Sequence, residues 1–227
     1  MYRLHIANKN YSSWSLRPWV LMRALDIPFD EILHPFPEQG AWDQYRQFAP
    51  NGKVPCLQDG DLTIWDSLAI VEYLAEQHAG VWPGDTAARA WARSAVAEMH
   101  SGFQALRSTC GMNCGLRIEL PGLSLAVQKD LARIDELWSQ GVSRFGGPFL
   151  AGSQFTAVDA FFAPVAFRVQ TYGLPLSAIA QAYSETLVQL AAMQQWYQAA
   201  LLEPWRESAH EQEALDAGRL LADYRSA

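Results

Sequence analysis

The chain has 227 residues, half of them hydrophobic, with 17 basic and 24 acidic side chains for a formal net charge of −7. That much apolar material supports one or two compact domains, while the acidity and the lack of a basic block argue against nucleic acid or an anionic membrane as partner. Three cysteines, Cys56, Cys110 and Cys114, cannot close a disulfide framework, the N-terminus lacks a signal-peptide plan, and no apolar run approaches the ~20 residues of a spanning helix, so the cytoplasm is the expected location.

In chain order, Tyr2 to Ala7 alternates as a strand, and Asn8 to Ser13 is loop chemistry. Trp14 to Leu25 reads as a helix in which Pro18 is tolerable only within the first turn. That makes Ser15 the expected cap and leaves the Ser12 and Ser13 hydroxyls ahead of an electropositive helix end. Residues 29–34 suggest a second strand and residues 40–49 a second helix.

The stretch from Asn51 to Leu74 carries the most chemistry. Pro55 heads an apolar strand, where it cannot donate to a ladder, so the backbone beside it has no sheet partner to serve. With a cis Val54-Pro55 bond, the Val54 N–H and C=O can face outward and pair with a peptide-like ligand as an added strand would. Asp59-Gly60 suits a tight turn between strands 55–58 and 61–65. Asp66-Ser67, followed by Leu68, Ile70, Val71 and Leu74, marks a helix start whose free N–H groups attract a carboxylate. The order βαβαββα describes a thioredoxin-like layer.

Residues 79–86, with two glycines and a proline, read as a linker, giving an N-terminal unit at 1–78 and a second unit at 87–227. Beyond it the patterns are helical at 87–109, 123–145, 157–171 and 185–202, with a capping-box signature at Thr156-Ala157-Val158-Asp159. The charged tail after Pro204 reads as a frayed helix.

The segment with Val54-Pro55 and Asp66-Ser67 resembles the glutathione-binding half of the cytosolic glutathione transferases. These have a Val-cis-Pro loop and an acidic or amide residue followed by Ser at the next helix start. The resemblance extends to the capping box and covers nearly the whole chain. It implies an α/β thioredoxin-like N-terminal domain followed by an all-α helical-bundle domain, a homodimer, and glutathione as co-substrate. By the match, Val54 pairs with the cysteinyl unit, Asp66 and Ser67 hold the γ-glutamyl end, and Lys53 and Pro55 complete the glutathione site.

Tyr11-Ser12-Ser13-Trp14-Ser15 resembles the Ser-Ser-Cys-Ser motif of the zeta class, which sets Ser12 at the catalytic serine with Ser13 beside it. A hydrogen bond to a charged acceptor and a helix N-terminus together lower a thiol pKa by about 1 to 3 units. Two units raise the thiolate fraction at neutral pH from about 3% to about 75%, but nucleophilicity falls roughly eightfold, so the net gain is about threefold. Larger acceleration must come from orienting the second reactant. Capping and turn formation is the competing role for these serines, and Tyr2 and Tyr11 are weaker alternatives as activators.

The expected second-substrate pocket comprises Trp14 together with Met99, Phe103 and Arg107, which stand at i, i+4, i+8 on one helix face; core packing competes for Met99 and Phe103. His100 suits a structural role. Cys110 and Cys114 make a poor zinc site, so no metal is expected. The resulting expectation is a transferase in which a glutathione thiolate attacks a small electrophile. The alternatives are a maleylacetoacetate-isomerase-like enzyme, for which Arg17, Arg107 and Arg117 could hold an anionic substrate, and a non-catalytic ligand-binding relative.

Overall fold

The computed structural model describes residues 1–37 and 40–225. The first part folds as β1 (Tyr2–Ile6), α1 (Ser13–Ala24), β2 (Phe29–Leu33), α2 (Ala41–Tyr45), β3 (Cys56–Asp59), β4 (Leu62–Trp65) and α3 (Ser67–Gln77). The sheet order is β2-β1-β3-β4, with β1 parallel to β2 and antiparallel to β3, and β3 antiparallel to β4. In β1, Leu4 and Ile6 are fully buried beside Leu57 of β3, as period-2 alternation requires. Asp59 pairs with Leu62 across the tight turn, where Gly60 takes φ +55°.

The remainder forms α4 (Thr86–Ser101), α5 (Gln104–Thr109), β5 (Leu116–Glu119), α6 (Leu125–Phe145), α7 (Ala157–Tyr172), α8 (Ala178–Gln189), α9 (Ala191–Leu201), α10 (Ser208–Ala217) and β6 (Arg219–Asp223). Helix α7 is the axis of this part: every residue of it except Gln170 is buried, and α1, α4 and α8 pack around it. Such a helix can be apolar all round because nothing on it needs to face water. No helix among the described residues is long and apolar enough to cross a membrane.

Four local expectations are corrected. First, α1 begins at Ser13 with Ser12 in the N-cap position, so Pro18 lies in the second turn, where its missing N–H forgoes the bond to the Trp14 carbonyl. Ser15 is not the cap; its buried Oγ accepts from the Ala7 N–H at 3.2 Å. Second, the expected long helix at 87–109 breaks at Gly102-Phe103, where Phe103 takes φ +60°. The Arg107 guanidinium crosses the break, donating to the Gly102 carbonyl at 2.9 Å and to the Met99 carbonyl, which a continuous helix would have satisfied from its own backbone. Third, residues 185–202 divide at Leu190 into α8 and α9.

Fourth, the tail is not a frayed helix. It forms α10 and then β6, which pairs antiparallel with β5, so the helical part also carries a two-stranded sheet. The two strands meet at Gly218, where an added Cβ would stand 2.3 Å from the Glu119 carbonyl oxygen.

The capping box at the head of α7 is fully buried. Asp159 accepts from the Thr156 N–H at 2.9 Å, the Leu150 N–H at 3.0 Å and the Tyr183 hydroxyl at 3.0 Å. Truncation to alanine strands three donors, each costing about 1 to 3 kcal/mol when left unpaired, although relaxation recovers part of that. We therefore expect Asp159→Ala to lower the unfolding free energy by about 3 kcal/mol or more. Denaturant midpoints at unchanged m-value measure it, and a loss under about 1 kcal/mol contradicts the assignment.

Candidate functional site

The residues around Ser12 are set by a short buried loop. Asn8 to Ser12 follows β1 and lies almost wholly out of solvent, so its polar backbone must find partners in the protein. The Asn8 carbonyl accepts from the Tyr11 and Ser12 N–H groups at 3.2 and 2.8 Å. The Glu203 carboxylate accepts from the Lys9 and Asn10 N–H groups at 2.7 and 3.3 Å, and the Trp196 indole donates to the Lys9 carbonyl at 2.8 Å. Asn10 donates through Nδ2 to Asn113 at 3.1 Å and accepts from the Cys114 N–H through its carbonyl. The second half of the chain thus holds the loop that presents Ser12.

That loop opens onto a cavity of about 590 Å³ between the two halves. Ser12, Ser13 and Trp14 enter it from the start of α1, Gly52, Lys53 and Val54 from the loop before β3, and Gln104, Arg107 and Ser108 from α5. Ser12 donates its hydroxyl proton to Ser15 Oγ at 2.7 Å, and its side chain makes no capping bond, so the N-terminal end of α1 faces the cavity without a side-chain cap. The Val54-Pro55 peptide bond is cis. Val54 lies outside β3 and makes no backbone pair among the described residues. The loop is seated by Gly52, whose φ is +61° and whose added Cβ would fall 2.5 Å from the Trp42 ring, so only glycine fits there.

Other expected site residues lie outside this cavity. Asp66 caps α3 through bonds from the Leu68 and Ala69 N–H groups at 2.8 and 3.4 Å, adopts φ +76°, and stands 3.5 Å from His100 Nε2. Beside it the Ser67 hydroxyl is buried without a partner. Pro55 is buried under the loop. Met99 and Phe103 belong to the core cluster, and because the helix breaks between Met99 and the Phe103–Arg107 turn the three do not share one face. Tyr2 is remote, its hydroxyl 3.1 Å from His78. Arg117 also sits elsewhere, donating to the Cys114 and Leu116 carbonyls.

Tyr11 lines the cavity but is committed to another partner. Burial and its 2.5 Å bond to Glu211 push its pKa up to about 12, which leaves no phenolate at neutral pH. Cys56 and Cys110 are buried, with burial raising both thiols to about 11, and Cys114 is raised further. Such thiols are poor nucleophiles. Among the described residues no cluster of His, Cys, Asp and Glu is arranged to hold a metal.

Several wall residues were not anticipated from the sequence: Phe36, Tyr45, Met112, Arg168, His210 and Glu213. One of them left a signal, since Arg168 is the one charged residue after Asp159 in the apolar run of α7. His210 and Glu213 come from α10, part of a C-terminal segment folded back over the cavity. Arg225 anchors that segment with ion pairs to Glu211 and Asp223, and its Nη1 also reaches the Tyr11 hydroxyl at 3.3 Å.

With the geometry established, the relatives are informative. A family model described as "Glutathione S-transferase, N-terminal domain" matches residues 11–77, and one described as "Glutathione S-transferase, C-terminal domain" matches residues 89–199. Glutathione S-transferase theta-1 of Homo sapiens is 27% identical over 210 residues, covering 85% of this chain and 81% of that protein. A theta-class glutathione S-transferase from Xanthomonas axonopodis pv. citri, solved with glutathione bound, superposes with a TM-score of 0.64 at 24% identity over 86% of this chain and 96% of that one. A glutathione transferase homolog from Burkholderia GL BGR1, also with bound glutathione, gives 0.65 at 21% identity over 88% and 97%. At such identities the solved structures speak for the fold.

The C-terminal segment gives a pH test. Burial tends to raise the Glu211 pKa, but bonds from Arg225 and Tyr11 outweigh it and hold the carboxyl below its usual range; Arg225 does the same for Asp223. A depressed folded pKa contributes stability that is present above the unfolded value of ~4.3 and lost as pH falls through the folded value. Amide exchange in α10 and β6, corrected for intrinsic rate, should stay protected above pH ~4.5 and open below it before the core does. Uniform protection down to global unfolding refutes this.

Proposed function

The chain belongs to the glutathione S-transferase family, and we propose that it is a serine-type enzyme in which Ser12 activates the glutathione thiol for attack on a small electrophile. The observation that carries the proposal is the cavity itself. It brings the unpaired Val54 backbone, the Ser12 hydroxyl and the side-chain-uncapped end of α1 to one surface, with a second wall of different composition facing them. Val54 would pair with the cysteinyl unit of glutathione through its free N–H and C=O. Asp66 and the unpartnered Ser67 hydroxyl, at the head of α3, would receive the γ-glutamyl end; the Asp66 carboxylate suits the ammonium group, and the Ser67 hydroxyl suits the carboxylate. Lys53, exposed at the cavity edge, would meet the other carboxylate.

Ser12 needs a free proton to serve a thiolate. Hydroxyl hydrogens rotate between partners, so if Ser15 turns its own proton onto Ser12 Oγ, the Ser12 proton is released toward the sulfur. The buried Ser15, held by the Ala7 N–H, would thus orient the activating hydroxyl. This arrangement supports serine-type activation over tyrosine, because Tyr11 is engaged by Glu211 and Arg225. A homodimer formed across the exposed edge strand β4, where Leu62 and Trp65 face solvent, and a cytoplasmic setting complete the proposal.

The test is the ultraviolet thiolate signal of bound glutathione against pH, with conjugation rates measured alongside. Ser12→Ala should move the thiolate titration up by about two pH units. For that shift the rate loss should be only about threefold at pH 7 but about tenfold at pH 6, since the thiolate fraction falls faster than nucleophilicity rises. Glutathione binding with the same titration in both proteins removes Ser12 from the mechanism.

A further inference from the structure

Three arginines converge beside the cavity with no carboxylate to balance them. Arg17 of α1 is fully buried, and none of its guanidinium nitrogens has a hydrogen-bond partner. It lies between aromatic faces, 4.0 Å from the Trp14 ring centroid and 4.9 Å from that of Phe161. Arg107 stacks on Trp14 as well, at 5.0 Å. Arg168, only 4% exposed, spends its Nε proton on the Cys110 carbonyl at 2.8 Å, while its Nη1 is buried and unpartnered. Among the described residues none of the three forms an ion pair within 4.0 Å. Burial lowers the pKa of all three; Arg107 lowers Arg17 and Arg168 further and Arg168 lowers Arg17, while Asp66 and Asp130 offset this only from a distance at Arg17 and Arg107.

A protein does not ordinarily bury cations in this state, because an unpaired buried charge is strongly destabilising. Trp14 offsets part of that cost through its π-face, but a ring accepts no hydrogen bond in the way a carboxylate does. Arg107 and Arg168 line the cavity itself. Their wall is built by α5, residues 110–112 and α7, whereas Ser12, Lys53 and Val54 come from the other half of the chain. Glu213, from α10, is the acidic residue lining the cavity, and it forms no ion pair with any of the three arginines among the described residues. Arg107 and Arg168 thus bring positive charge to the wall opposite Ser12, while Arg17 lies behind Trp14 without lining the cavity.

We infer that the second substrate carries a carboxylate, which binds at Arg168 with Arg107 beside it and Arg17 reinforcing the positive potential behind Trp14. The inference rests on the glutathione-transferase reading of the cavity and specifies the chemistry of the electrophile. A carboxylate on Arg168 would complete the coordination of an otherwise stranded guanidinium, and a fixed anchor at one end of the electrophile orients its reactive carbon toward the thiolate. An uncharged electrophile of the same shape would leave the Arg168 charge uncompensated, which discriminates against it as well as for the acid.

Equilibrium binding tests this without turnover. The protein is first saturated with S-methylglutathione, then titrated with 3,5-dinitrobenzoate or with the uncharged 1,3-dinitrobenzene. The benzoate should bind at least about tenfold more tightly. Arg168→Gln should abolish that preference, whereas Arg168→Lys, which keeps the charge but not the Nε bond to Cys110, should retain most of it. Equal loss in both variants assigns Arg168 to holding the 110–113 loop and overturns the inference. So does a wild-type protein that binds the two ring compounds equally, or a fall in S-methylglutathione affinity that matches the loss for benzoate. Failure of S-methylglutathione to bind the wild type instead brings down the reading of the cavity, and the inference with it.

Discussion

The constraint on which the rest depends is the burial of the loop from Asn8 to Ser12. A loop removed from water cannot leave its N–H and C=O groups unpaired, and no strand or helix of its own satisfies these. Glu203, Trp196 and the Cys114 N–H, all from the second half of the chain, supply the partners of Lys9 and Asn10, and Asn113 holds the Asn10 side chain. The same contacts that dock the halves therefore fix the position of Ser12. Lys9 extends the network by pairing with Glu31, which also accepts from the Trp19 indole at 2.6 Å. The site and the interface between the halves are one polar system, and in low dielectric such a network is rigid only if every member is satisfied.

Helix α7 performs the complementary task from the other side. Its head is locked by the Asp159 cap, and its tail holds the segment after α5 through three side chains. Arg168 reaches the Cys110 carbonyl, Tyr172 that of Gly111 at 2.9 Å, and Thr171 that of Asn113 at 2.6 Å. These bonds shape the wall opposite the serines, where the helix break at Gly102-Phe103 has already redirected the chain. The break brings Arg107 to the cavity and keeps Met99 in the core. A straight helix could not have done both, since the residues would then share a face.

Electrostatics and packing pull in different directions at this wall. Dispersion and cation–π contact with Trp14 and Phe161 tolerate Arg17, yet desolvation pushes its pKa well below the usual value, and Arg168 is lowered to about 10. Positive potential concentrated in a recess of low dielectric suits an anionic thiolate as well as an anionic second reactant. The overall acidity of the chain says nothing about this recess, because a net charge summed over the whole chain does not record where its charges lie.

Much of the architecture was legible in the residues taken in order. Alternation in β1, the Asp59-Gly60 turn, the apolar run after Asp66 and the Thr156-Asp159 box are local signals of backbone preference. The order βαβαββα followed by helices was accordingly read from them. What tertiary structure alone decided was of longer range. Breaking the helix at Phe103 depended on Arg107 reaching the end of α4. Folding the tail into α10 and β6 depended on β5, a hundred residues away in sequence, offering an edge. His210, Glu213 and Arg168 reached the cavity because α10 and α7 were placed there by packing, and no spacing in the chain records that. The sequence by itself determined which segments could be strands, helices and turns, since those are choices of local torsion and of which face is apolar. The company each side chain keeps, and therefore the charge and shape of the cavity, emerged only when the buried loop and α7 found their partners across the fold.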